Sequence, residues 1–170
     1  MSAVERLCPQ CGLCCNGVLF GDVELQRPDD ATKLAALGFK LQKKGRKQAF
    51  RQPCVCFDGR LCTVYAGRPE RCRTFECGQI QRVEAGDLTL AQAERHVREV
   101  KRLAAEVLRL LRRLGNQDEA APLNLRYSAV LSQPIDLAGN EDVIDCRGEL
   151  MMAVGRLVEA LERNFLVAGD

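Results

Sequence analysis

Nine of the ten cysteines fall between residues 8 and 77, in two clusters: Cys8, Cys11, Cys14 and Cys15, then Cys54, Cys56, Cys62, Cys72 and Cys77. Thiolate is a soft ligand suited to zinc and to iron–sulfur clusters, so this concentration points to metal chemistry. The first cluster reads C-x-x-C-x-x-C-C, and its two-residue gaps let consecutive thiolates curl round one tetrahedral centre. The adjacent pair Cys14-Cys15 sets a further condition. Neighbouring side chains in extended backbone point to opposite sides, so both reach one metal only across a sharp turn, and two nearby centres are the easier solution. Two four-thiolate sites would use eight of the nine cysteines, and one cluster beside a zinc fits the count equally. The cofactor expected is therefore zinc or an iron–sulfur cluster, with metal ions as the first partners.

The second cluster carries a more specific pattern. Pro53-Cys54-Val55-Cys56-Phe57-Asp58-Gly59-Arg60-Leu61-Cys62-Thr63-Val64-Tyr65 is followed by Arg68-Pro69-Glu70-Arg71-Cys72-Arg73-Thr74-Phe75. Together with Cys8-Pro9-Gln10-Cys11-Gly12-Leu13-Cys14-Cys15, this resembles the YkgJ-like cysteine-cluster family, the zinc- or iron-chelating domain of C-x-x-C-x-x-C-C type, over residues 8 to 77. The resemblance implies a bacterial protein binding metal through Cys8, Cys11, Cys14, Cys15, Cys54, Cys62 and Cys72, with Tyr65, Arg68 and Pro69 as scaffold. Cys56 and Cys77 lie beyond the shared pattern and join the ligand candidates on their position alone. The family also includes larger flagellin lysine methylases, which implies an alternative reading as an iron–sulfur-dependent enzyme related to protein lysine methylation. No glycine-rich nucleotide fingerprint follows a strand in this chain, so a methyl-donor site has no sequence counterpart. Enzymatic and non-enzymatic readings both stay open.

Other modules are excluded by spacing. A two-cysteine, two-histidine zinc finger needs a pair of histidines, and His96 is the only one. A bacterial ferredoxin run places its fourth cysteine three residues after the third, whereas Cys15 follows Cys14 directly.

Composition bounds the remaining choices. The 170 residues are 46% hydrophobic, enough for a packed core, and 25 basic against 23 acidic residues give a net charge of +2. Global charge therefore favours neither nucleic acid nor membrane. The opening residues lack a secretory h-region, no apolar run is long enough to span a bilayer, and the expected location is the cytoplasm. In that reducing compartment ten cysteines suit metal ligation better than disulfides. Locally, Lys40, Lys43, Lys44, Arg46, Lys47 and Arg51 form a basic run that could hold phosphate backbone, giving a second alternative, a zinc-stabilised nucleic-acid or protein adaptor. With no tryptophan and two tyrosines there is little for bases to stack on, and a solvated hairpin face is the plainer reading. Arg68, Arg71 and Arg73 beside Cys72 are suited to offset thiolate charge.

The elements that must position these residues divide near residue 80. Residues 1–82 form a cysteine-rich metal-binding region and 83–170 a helical region, expected to pack as one compact unit. The fold class is α+β: an irregular cysteine-rich part with short strands, packed against two long C-terminal helices. In the first region, 17–25 reads as a strand, Asp29 or Asp30 to Leu37 as a short helix stopped by Gly38, and 39–51 as a hairpin turning at Lys44-Gly45. In the second, Leu90, Ala93, Val97, Val100, Ala104, Val107, Leu111 and Leu114 recur at steps of three and four, a helical stripe. Thr89 and Gln92 fit a capping box at its start, and Gly115 a left-handed cap at its end. A helix over 143–166 is marked by Leu150, Val154, Leu157, Leu161 and Phe165, widened by Met151 and Val158. The connection is expected to be irregular or partly stranded around Tyr127 to Leu131. Cys146 reads as a small buried apolar residue and His96 as a boundary residue bonded to a neighbour or facing solvent.

Overall fold

The computed structural model of the chain describes residues 2–136 and 139–167, so Met1 and residues 168–170, at the outer ends of the two sequence regions, lie outside the described residues. The chain divides into two compact units, one of Met1–Glu76 with Ala120–Pro122 and one of Cys77–Glu119 with Leu123–Asp170.

The first unit is α+β. It opens with α1 (Ala3–Cys11), where Ser2 and Glu5 form a reciprocal capping box and Gly12 ends the helix at φ +68°. This helix escapes a reading of the cysteine run as loop, although the S-x-x-E signature stands in the sequence. Strand β1 (Asp22–Glu24), helix α2 (Ala31–Ala36) and the hairpin β2 (Leu41–Lys44) and β3 (Lys47–Arg51) follow. The sheet order is β1-β3-β2, all antiparallel. The expected strand over 17–25 shrinks to three residues, because the backbone before it is spent on turns: Leu19 bonds back to Leu13, and Val18 to the Asn16 side chain. The short helix and the hairpin form as read, with Asp30 capping α2 through Thr32 and Lys33, and Gly38 and Gly45 at positive φ. A turn of 3-10 helix (Tyr65–Gly67) and α3 (Glu70–Thr74) complete the unit.

One face of the sheet builds the core. Val23 and Phe50 pair across β1 and β3 and pack with Leu34, Phe39 and Cys56; Phe39 meets Phe50 edge to face at 4.7 Å. The opposite face carries charge. Lys44 pairs with Asp22 at 2.8 Å and Lys47 with Glu24 at 2.8 Å, so two cations of the basic run are neutralised by β1.

The second unit is helical: α4 (Gly78–Glu84), α5 (Leu90–Arg113), α6 (Leu123–Leu131) and α7 (Glu141–Asn164). In α5 the Thr89–Gln92 capping box is present and Gly115 sits at φ +80°. Its buried stripe, Ala93, Val97, Val100, Leu103, Ala104, Val107, Leu110 and Leu111, packs against Cys146, Leu150, Ala153, Leu157, Ala160 and Leu161 of α7. Each such leucine is worth about 2 kcal/mol of burial. Two expectations are corrected. Met151 is 61% exposed, because it lies across the helix from the Leu150–Leu157 face. The connection around Tyr127 to Leu131 is helical, since Leu123, Arg126 and Val130 recur on one buried face and Pro122 stands just before the first turn, where a missing N–H costs nothing. Among the described residues no helix is long and apolar enough to cross a membrane.

Candidate metal centre

Three devices bring the cysteine segments of the first unit together. The first is the turn after α1: the amides of Cys15 and Asn16 both donate to the Gly12 carbonyl at 3.0 Å, supplying the sharp bend that the adjacent cysteines require. Cys8 and Cys11, three residues apart on α1, lie on one side of that helix. The second device is a tight loop between Cys56 and Cys62. Asp58 Oδ1 accepts from the amides of Arg60 and Leu61, Phe57 and Cys62 form an antiparallel bridge, and the Thr63 amide donates to the Cys56 carbonyl at 2.8 Å. The third is α3, which carries Cys72. Asp29, ahead of α2, accepts from the Glu70 amide at 2.7 Å and so caps a helix far away in sequence.

These pieces meet directly. The Cys54 amide donates to the Cys15 carbonyl at 2.8 Å. Phe57 covers Gly12 so closely that a β-carbon there would stand 2.7 Å from the ring. Cys15, Cys54, Cys62 and Cys72 lie within electrostatic reach of one another. Burial pushes the Cys15 thiol up to about 11, with Cys62 adding to the rise and the Arg68 guanidinium opposing it. Burial pushes Cys54 up to about 12, the Cys56 amide pulls it down, and Cys15, Cys56 and Cys62 raise it further. Cys72 rises to about 12 through burial and through Cys15, Cys54 and Cys62, again opposed by Arg68. A pocket that penalises several neighbouring thiolates is one that a cation would relieve.

The four thiols act on one another electrostatically but do not form a coordination shell. In a zinc tetrathiolate they would stand about 3.8 Å apart, given Zn–S bonds of about 2.3 Å. Among the described residues no three histidine, cysteine, aspartate or glutamate side chains are gathered in a group that could hold an ion.

The other cysteines divide by surroundings. Cys56 is buried in the sheet core, 3.8 Å from the Leu37 carbonyl, and burial raises its pKa. Cys8, Cys11 and Cys14 are half-buried on the α1 side. Cys77 belongs to the second unit, at the N-cap of α4. Cys146 is buried in that unit's core with its sulfur 4.0 Å from the Leu110 carbonyl, the small apolar role read from sequence. His96 is bonded to a neighbour as read: its Nδ1 lies 2.8 Å from Oε1 of the buried Gln79, whose amide nitrogen donates to the Asn164 carbonyl.

Of the three arginines near Cys72, Arg73 is committed to Glu70 and Arg71 stands 5.6 Å off the Phe75 ring. Arg68 stacks 3.8 Å over Tyr65, and its buried Nε has no hydrogen-bond partner. Asp29, Phe57 and the Asp58 loop are site-building residues that sequence reasoning did not single out; the D-G pair at Asp58-Gly59 was the available signal for the last.

A small unit in which a helix-ending turn, a tight loop and a short helix carry cysteines within electrostatic reach of one another has the thiol-rich character of a chelating domain. The chain belongs to the CxxCxxCC family, described as "putative zinc- or iron-chelating domain", whose model matches residues 7–95, more than half of the chain. No curated protein and no solved structure matches it.

Proposed function

We propose that the protein holds zinc or an iron–sulfur centre through Cys15, Cys54, Cys62 and Cys72, and that the centre organises the first unit. The observation that carries this reading is the main-chain bond from Cys54 to Cys15, which joins the two cysteine clusters; the charges of Cys62 and Cys72 act on the same neighbourhood. The donor set suits the group: four soft ligands, of which burial keeps Cys15, Cys54 and Cys72 in the neutral form until a cation arrives. Among the described residues these side chains are not gathered as an ion-holding group, so binding would draw them together.

A folding role follows from the size of the core. The cluster of Val23, Leu34, Phe39, Phe50 and Cys56 is small, and Cys54 and Cys72 pack against it, so metal ligation would cross-link the segments that hydrophobic burial holds weakly. When bound, zinc supplies cross-linking alone, whereas an iron–sulfur cluster also supplies electron transfer. Cys8, Cys11 and Cys14 would extend the ligand set from the α1 side, and Cys56 and Cys77 contribute least to it.

The test is elemental analysis with a visible spectrum on protein purified without air from cells supplied with iron and zinc. Zinc in a colourless protein supports the structural centre. Iron with inorganic sulfide and broad visible absorption supports the redox version and brings the methylation-related enzyme forward. A protein that carries neither metal, and takes up neither on titration under reducing conditions, removes the reading.

A further inference from the structure

We propose that the tip of the β2–β3 hairpin is a docking surface for duplex DNA, held through the phosphate backbone without reading sequence. The inference stands apart from the metal-binding reading, since it uses none of the cysteines.

The tip is basic throughout. From Lys40 to Arg51 the chain carries six cations and no aspartate or glutamate. The strands are joined by the two-residue turn Gly45-Arg46, and residues 42–48 are all exposed. Strand β1 pairs with residues 49–51 of β3, which leaves the tip two-stranded. A β-carbon on Gly45 would meet nothing within 4 Å, so the turn stands clear of the rest of the unit. Register then divides the charges. Lys43 pairs with Gln48 on the face that carries Leu41 and Phe50, and Lys44 pairs with Lys47 on the other. Like charges set opposite each other on a ladder cost stability, and Asp22 and Glu24 relieve the Lys44–Lys47 pair alone. Among the described residues no ion pair engages Lys43 or Arg46.

Three features select the partner. Cations on both faces of a two-stranded ribbon and at its turn match phosphates on both walls of a groove, and the major groove of B-DNA, about 12 Å wide, admits such a ribbon. The major groove of A-form RNA is deep and narrow and shuts it out. Single strands are held by stacking their bases on aromatic rings, and the one aromatic residue of β2 and β3, Phe50, is buried in the core. A lipid surface would be met by apolar side chains, and residues 42–48 include none.

The full chain is titrated against a fluorescein-labelled duplex of mixed sequence, with anisotropy read at several salt concentrations. Each phosphate contact contributes about −0.9 to the slope of log affinity against log salt, so Lys43 and Arg46 alone require at least about a tenfold loss of affinity from about 50 to about 200 mM salt. Lys43→Ala with Arg46→Ala should flatten that slope by about 1.8, and equally for a second duplex of unrelated sequence. Arg95→Ala with Arg98→Ala removes the same charge from the exposed side of α5 and should leave the slope as it is in the parent chain. The proposal is overturned if the parent does not bind the duplex at low salt, if the tip variant binds as the parent does, or if the α5 variant loses as much as the tip variant. Tighter binding of a single-stranded oligonucleotide, of duplex RNA, of poly-glutamate or of anionic vesicles than of the DNA duplex would also overturn it and assign the tip to that partner.

Discussion

The amide of Cys54 donates to the carbonyl of Cys15 at 2.8 Å, so the two cysteine clusters, almost forty residues apart, are joined by main chain before any metal is considered. That bond sets the main chain of one cluster against that of the other at a single spot. Five expectations follow from how that spot is built.

Cys15→Ser, Cys54→Ser, Cys62→Ser and Cys72→Ser should each lower the metal bound per chain, because a serine hydroxyl is a poor substitute for a soft thiolate. Cys146→Ala should keep full metal content and cost about 1–2 kcal/mol of stability, the loss of a small buried side chain from the helical core. Metal analysis and thermal melts on the five variants check this; full metal content in Cys72→Ser would remove that cysteine from the set.

Asp29→Ala removes the acceptor of the Glu70 amide and, through its second oxygen, of the Gln26 amide. The loss should be about 1–2 kcal/mol, as for other helix caps. Since α3 carries Cys72, zinc affinity should fall as well, which a chelator competition would read. Unchanged affinity would mean that α3 is anchored without its cap.

The metal-free protein should lose stability as the pH rises above 9. Cys15, Cys54 and Cys72 have folded pKa values raised from 9.0 to about 11, 12 and 12, with burial the main cause. The unfolded chain therefore releases these protons first, binds fewer of them than the folded chain, and gains on it from about pH 9 until the folded thiols titrate. Denaturant melts under reducing conditions at pH 8, 9 and 10 should show a falling midpoint. Zinc-loaded protein, whose thiols are already deprotonated, should show a smaller fall.

Gly12→Ala should destabilise more than Gly115→Ala. Both glycines sit at positive φ, which costs a side chain about 1–2 kcal/mol. At Gly115 a β-carbon meets nothing within 4 Å, whereas at Gly12 it would stand 2.7 Å from Phe57 and force that ring away from the site. Chemical denaturation of each variant would separate strain alone from strain with a clash. Equal losses would show that Phe57 moves aside freely.

Leu111→Asp should unfold the helical unit, since Leu111 is 0% exposed in the seam between α5 and α7. A buried unpaired carboxylate costs more than about 4 kcal/mol, a large share of a small domain's stability. Loss of most far-ultraviolet helical signal is the expected readout. A cooperative melt near that of the parent chain would show that the seam opens to solvent at this point.

The sequence by itself determined the donor chemistry and the long helices. Nine clustered cysteines specify soft-metal ligation whatever their placement, and the steps of three and four from Leu90 to Leu111 leave a helix as the conformation that puts them on one face. The same rule misplaced Met151, because a residue next to Leu150 in sequence points well away from it on a helix, and it missed the helix α6, whose buried positions include Arg126, a residue no apolar count would select. Tertiary structure alone decided which thiols feel one another's charge. Spacing within C-x-x-C-x-x-C-C suggests that these four cysteines act together, yet Cys15 is coupled to Cys54, Cys62 and Cys72 of other segments. That grouping depends on long-range contacts, Asp29 with Glu70, Phe57 with Gly12, Cys54 with Cys15, whose partners are brought together by chain folding and leave no periodic trace in the sequence.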